Sequence, residues 1–166
     1  MKVGLLPLLA GVVAGLFYAC SSINCPIENT VAVNYSVYNN AAADGVLGDT
    51  LWVMTRRSDD SLTVLLNRFT GKSSFTLPIS YSHPEDMLLL VVSDTANVWT
   101  VDTLWLKKDD IPHFESVDCS AHFFHRITAV RCTHEGIDSV TIENPLVNYD
   151  QSTTHLHIYF GGIRAH

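Results

Sequence analysis

From residue 30 onward, apolar and polar side chains alternate with a period of two, and turn-forming residues cut the chain into short stretches. Thr30–Tyr38 puts Val31, Val33, Tyr35 and Val37 on one face, so it reads as a strand. Asn39–Gly48, rich in Ala, Gly and Asp, is a connection, and Asp49–Thr55 resumes extended structure with β-branched and aromatic residues. Arg56–Asp60 reads as a polar hairpin turn, followed by a strand over Ser61–Phe69 with Leu62, Val64 and Leu66 on one side. Ser74–Ser80 contains Pro78, which offers no N–H to a ladder and so predicts an edge strand. Met87–Val92 is apolar on both faces, the pattern of a central strand covered on each side. Asn97–Lys107 follows and is expected to stop at Lys107–Asp110. Ile127–Thr133, Ile137–Ile142 and His155–Phe160 complete the set, the last with Leu156, Ile158 and Phe160 inward and His155, His157 and Tyr159 outward. The only helical suggestion is one turn over Ser120–His125. This pattern predicts an all-β fold, an antiparallel β-sandwich of immunoglobulin-like outline, with an antiparallel barrel as the alternative.

A different pattern precedes it. After Lys2, the apolar run Val3–Tyr18 ends at Ala19–Cys20, which is the grammar of a secretory signal. A membrane-spanning helix needs about 20 apolar residues, and this run closes sooner. Phe17-Tyr18-Ala19-Cys20 resembles the lipobox of bacterial lipoproteins, with Phe where Leu is usual and Tyr where a small residue is usual. That resemblance implies lipidation of Cys20, and hence a signal peptide over 1–19, a tether over 20–28 and one domain over 29–166. The alternative is ordinary cleavage, leaving Cys20 free or disulfide-bonded. Several acyl chains on one residue anchor stably, at about 0.8 kcal/mol per buried methylene. No acidic pair follows Cys20, which favours the periplasmic side of an outer membrane over the cell surface.

The whole chain has 10 basic and 17 acidic residues. Without Lys2 the balance is nine to seventeen, a net charge of minus eight. Nothing in this balance resembles a phosphate-binding surface; it argues against nucleic acid as a partner and against docking on anionic lipid by net charge. Cysteines in an exported chain are disulfide candidates. With Cys20 acylated, Cys25 and Cys119 would close a loop worth about 4 to 5 kcal/mol, and Cys119 with Cys132 a shorter one worth about 3. The first is favoured because Cys132 lies within a strand-like run, where a buried thiol is ordinary.

Pro112-His-Phe-Glu-Ser-Val-Asp-Cys119, Phe124-His125, Ile137-Asp-Ser-Val140, Asn144-Pro-Leu-Val-Asn-Tyr-Asp150 and Ile158-Tyr-Phe160 together resemble a family of small uncharacterised lipoproteins of Bacteroidetes. The resemblance implies an envelope location and a pairing of Cys25 with Cys119, and it implies no activity. Independently of it, Asn144–Asp150 reads as a structured loop, with Tyr149 positioned to fasten a corner through its hydroxyl.

The candidate chemistry is sparse. His155 and His157 lie two apart on a strand and could converge on zinc or copper given a third ligand, but no spacing matches a closed zinc pattern. They are weak candidates, and no metal or other cofactor is expected. A Cys–His nucleophile from Cys119 or Cys132 with His125 or His134 needs a reduced, low-pKa thiol, which an oxidising compartment opposes. Asp59–Asp60 and Asp109–Asp110 read as solvated acids at turns. Trp52, Trp99 and Trp105, with Tyr35, Tyr81 and Tyr159, could make a sugar-stacking platform, although strand aromatics more often fill a core. No hydrolase elbow, phosphate loop or dinucleotide fingerprint is present. The expected role is therefore non-catalytic: a lipid-anchored structural or interaction module with another envelope protein as its partner, or a glycan- or ligand-binding module, or, last, a metal-binding protein.

Overall fold

A computed structural model describes residues 31–39, 46–116, 119 and 122–161. The proposed signal, Cys20 and Cys25 lie outside them. The described residues contain strands and no helix, and the order is β1 (Ala32–Asn39), β2 (Thr50–Arg56), β3 (Leu62–Phe69), β4 (Ser74–Pro78), β5 (Glu85–Ser93), β6 (Trp99–His113), β7 (His122–Cys132), β8 (Ile137–Ile142), β9 (Leu146–Val147) and β10 (Leu156–Phe160). They form a four-stranded sheet, β4-β1-β10-β8, and a six-stranded sheet, β3-β2-β5-β6-β7-β9. Every pairing is antiparallel except β1 with β10, where Tyr35 lies opposite Leu156 and Val37 opposite Ile158. The first and last described strands thus lie side by side at the centre of the smaller sheet.

Alternation builds the core. Val33, Tyr35 and Val37 from β1 and Leu156, Ile158 and Phe160 from β10 meet Leu51, Val53, Leu88, Leu90, Leu104 and Leu106 from the larger sheet in one buried cluster. Each large aliphatic side chain in it contributes about 1.5 to 3 kcal/mol relative to an exposed position. Pro78 ends β4 at the edge of its sheet, as its missing N–H requires. The β5–β6 hairpin is locked by Asp94, whose Oδ1 accepts the N–H groups of Ala96 and Val98, while Asn97 takes φ 60°. Asn tolerates this left-handed conformation.

Three sequence expectations are corrected. β6 does not stop at Lys107–Asp110 but runs on to His113, because a bulge at Lys107/Lys108 lets pairing with β7 continue. Ser120–His125 does not make a helical turn where it is described; β7 begins at His122. Leu62, Val64 and Leu66 do not share a face. Register shifts around Val53 and Met54 place Leu66 opposite core-facing Val53, and Val64 opposite Met54. β5 is central, between β2 and β6, but no described element covers its outer side.

Candidate functional site

The two outer faces of the sandwich differ in kind. On the four-stranded sheet, the strand positions between the core residues are Asn34, Ser36, Tyr38, Ser74, Thr76, Ser139, Thr141, His157 and Tyr159, a mainly hydrogen-bonding surface. On the six-stranded sheet, the equivalent positions of β3, β2, β5 and β6 are Leu62 and Val64, Trp52 and Met54, Met87, Leu89 and Val91, then Trp99, Val101 and Trp105. Leu62, Val64, Trp99 and Val101 are each about half exposed, at 50%, 53%, 55% and 51%. Four strands at about 4.8 Å spacing make this a patch on the order of a few hundred Å², the size at which an exposed apolar patch marks an interaction site. All three tryptophans lie on it, and none is in the core. Trp52 and Trp99 stack with ring centroids 5.1 Å apart, and the Arg131 guanidinium sits 4.0 Å above the Trp105 ring while bonding Glu85 at 3.0 Å. Tyr35, by contrast, is a core residue stacked on Phe75, and burial pushes its hydroxyl pKa up. Tyr81 stacks on Phe123, and Tyr159 stacks on Tyr38, away from the tryptophans.

The continuation of β6 past the bulge carries an ion cluster that points inward. Lys108 and Asp110 keep the phase of Leu104 and Leu106. The Lys108 side chain is fully buried and donates from Nζ to the His83 carbonyl at 2.9 Å and to Asp110 Oδ1 at 2.6 Å. His125, directly opposite Asp110 on β7, donates from Nδ1 to the same oxygen at 2.6 Å. Desolvation opposes the charge on Asp110, but its bonds to Lys108 and His125 win and hold its pKa below the ordinary value; burial lowers that of His125 despite Asp110. Nearby Asp86 accepts the Ser80 N–H at 3.0 Å, and desolvation raises its pKa. Asp86 also borders a cavity of about 200 Å³ lined by Thr55, Leu65, Pro78, Ile79 and Leu88, which opens toward Arg56, Arg57 and Ser82. Asp109–Asp110 is therefore not a pair of acids at a turn: Asp109 faces out and Asp110 is bonded on both sides. The legible signal was Lys108 and Asp110 falling in phase with core leucines.

A buried carboxylate elsewhere does structural work. Asp102, 1% exposed, accepts from the Thr133 hydroxyl at 2.8 Å and from the N–H groups of Glu135, Gly136 and Ile137 at 2.9, 2.8 and 3.0 Å. These three successive amides form the connection by which the chain leaves the larger sheet at β7 and enters the smaller one at β8. A Cβ on Gly136 would lie 3.0 Å from Thr100 Oγ1 and 3.4 Å from Asp102 Oδ2, so the carboxylate and the glycine fit each other.

The sequence-nominated histidines do not converge. His155 is not outward but fully buried. Its Nδ1 accepts the Asn34 N–H at 3.0 Å, completing the β1–β10 ladder, and burial lowers its pKa. Asn34 in turn bonds the carbonyls of Gln151 and Thr153, folding that loop over the outer face. Asp150 caps the loop through Ser152 and Thr153, and those bonds hold its carboxyl pKa at about 2. His157 faces Glu143 at 3.3 Å instead. Among the described residues no three His, Cys, Asp or Glu side chains are grouped to hold a metal ion. Cys132 is a free thiol, and burial raises its pKa, away from a nucleophile's needs. Cys119 is buried, and Cys25 lies outside the described residues. Tyr149 sets its ring edge-on to Phe124 at 4.8 Å and to His113 at 5.8 Å, and so fixes its loop at least through ring packing.

Fold and surface together define a β-sandwich with one hydrogen-bonding outer face and one apolar outer face. The chain belongs to DUF6452, a family of unknown function whose profile matches residues 50–160. No curated protein and no solved structure matches it.

Proposed function

We propose that this protein is a lipid-anchored module of the cell envelope, held through Cys20 on the periplasmic side of an outer membrane, that works as a non-catalytic structural or interaction module. The observation that carries this is the contrast between the two outer faces. A sandwich that needs only to be soluble presents polar residues on both outer faces, as antiparallel sheets with one solvated side do. Here Trp52, Met54, Leu89, Val91, Trp99 and Val101 form an apolar surface that no described element covers. Its aromatic, methionine and arginine content is that of binding surfaces. Support for a role without catalysis comes from the inward direction of the Lys108–Asp110–His125 cluster, whose hydrogen bonds are directed at one another and at the His83 carbonyl.

Pairing of Cys25 with Cys119 belongs to the same reading. It is supported by the burial of Cys119 while Cys132 is a free thiol, and it would tie the tether to the segment after β6. A glycan-binding role is the second reading, favoured by the position of all three tryptophans on an open face instead of in the core. Two measurements separate the readings. Mass spectrometry of the mature protein should find Cys20 as an acylated first residue; an unmodified leader still attached would remove the anchor. Crosslinking in intact envelopes should recover a specific neighbour from wild type; recovery of none would remove the interaction role. A shift of tryptophan emission on adding soluble oligosaccharides, with no neighbour recovered, would favour the glycan reading.

A further inference from the structure

We infer that the occupant of the apolar face is a lipid surface, so that the six-stranded sheet lies flat on the membrane to which the chain is tethered. The inference rests on the anchored reading above and names what its binding face touches. Two observations choose lipid over a second copy of the chain.

The first is charge. The chain as a whole is acidic, with a formal net charge of −7. The outer side of the six-stranded sheet reverses that balance: Arg56, Lys107, Arg126 and Arg131 occupy outward register positions, against Glu85 and Asp109. Glu85 is bonded to Arg131, and Asp60, in the turn after β2, is bonded to Arg56, which leaves Lys107 and Arg126 facing Asp109. An apolar centre with tryptophans and a basic margin suits an anionic headgroup layer, where indoles sit at the interface and long cationic side chains reach the phosphates. Two copies of the same face would bring their basic margins together.

The second is reach. The tether from Cys20 to Val31 is about 11 residues, which spans at most about 40 Å. It enters the fold at Ala32, opposite Pro78 of β4. Pro78 shares the wall of a cavity with Thr55 and Leu88 of the six-stranded sheet. The tether's entry point is thus separated from the larger sheet by about one sheet-to-sheet spacing, roughly 10 Å. The anchor can therefore reach the plane of the apolar face with length to spare.

Because every tryptophan of the chain lies on this face, intrinsic emission reports on it without a label. The test uses the purified full-length lipidated protein in vesicles of phosphatidylethanolamine and phosphatidylglycerol whose acyl chains carry bromine, a contact quencher. With the face seated about 5 to 10 Å into the headgroup and acyl boundary, emission should fall by about half against unbrominated vesicles. The Val64→Glu, Val101→Glu variant should float with the vesicles but keep its emission. Both positions are half exposed, so its thermal midpoint should equal that of wild type, which shows that it folds. Flotation of wild type with unquenched tryptophans, whether open to aqueous iodide or shielded by a protein partner, overturns the inference and leaves the anchor standing. Failure to float removes the anchor and the inference together.

Discussion

Asp102 shows how one side chain can set a chain crossing. Its carboxylate takes four hydrogen bonds, three from consecutive amides of the β7–β8 connection. Replacing it by Ala leaves those buried donors unsatisfied and should destabilise the domain by about 3 kcal/mol or more, read as a lower urea midpoint. Gly136→Ala presses against the same carboxylate and Thr100, and should weaken the fold in the same assay. His155 is the other decisive residue. Its ring is buried neutral, with Nδ1 committed as an acceptor, and both His155 and His125 have pKa values lowered chiefly by burial. The unfolded chain takes up protons at these histidines below its ordinary value of about 6.5, while the folded chain resists until lower pH. Stability is therefore complete above that value and declines as pH falls below it. Asp110 and Asp150, with lowered values, add a further loss only as pH drops below the ordinary carboxylate range, whereas Asp86, with a raised value, contributes with the opposite sign. Urea midpoints at pH 7.5 and 5.5 should differ in wild type and differ less in His155→Gln. An equal difference in both proteins would show that His155 takes no part.

At the scale of elements, alternation revealed most strands directly: β1, β2, β4, β5, β8 and β10 lie within a few residues of their expected limits because one face of each is core. It failed where the inward positions are not apolar. Lys108 and Asp110 read as a polar stop, yet they continue β6, because the buried Lys108 amine and His125 imidazole both bond the partly exposed Asp110 carboxylate. The bulges in β3 and β7 hide parity changes that no periodicity reports. The two-residue β9 is too short to leave a pattern. As for sites, the sequence singled out the tryptophans and the paired histidines by residue type, but it could not say which were covered. Breaking the ion cluster should be costly. Lys108→Ala strands Asp110 and His125 and should lose about 3 kcal/mol, whereas the better-packing pair Lys108→Met with Asp110→Asn should lose much less. Equal losses in a denaturant series would mean that packing, not charge pairing, holds this stretch.

The described part of the molecule is a two-sided plate. The residues that make its core are spread from β1 to β10, so the two sheets stand or fall together, and the outer faces are free to differ. The central strand β5 was expected to be covered on both sides; its outer residues Met87, Leu89 and Val91 are only partly buried, by their neighbours within the sheet. That shortfall is the physical basis for assigning this face a binding role. Substitutions there should behave accordingly: Val64→Glu and Val101→Glu should change stability by within about 0.5 kcal/mol, as surface changes do, while altering what the protein associates with.

The most direct test asks whether the apolar face is covered where the protein works. In a Cys132→Ser background, Val101→Cys marks the outer face of the six-stranded sheet, and Ser139→Cys marks that of the four-stranded sheet, where position 139 is also exposed. A maleimide small enough to enter the envelope should label both cysteines at similar rates in the purified, unanchored protein. In intact envelopes it should label position 139 as before and position 101 at least several-fold more slowly. Equal labelling of the two positions in envelopes would contradict the account.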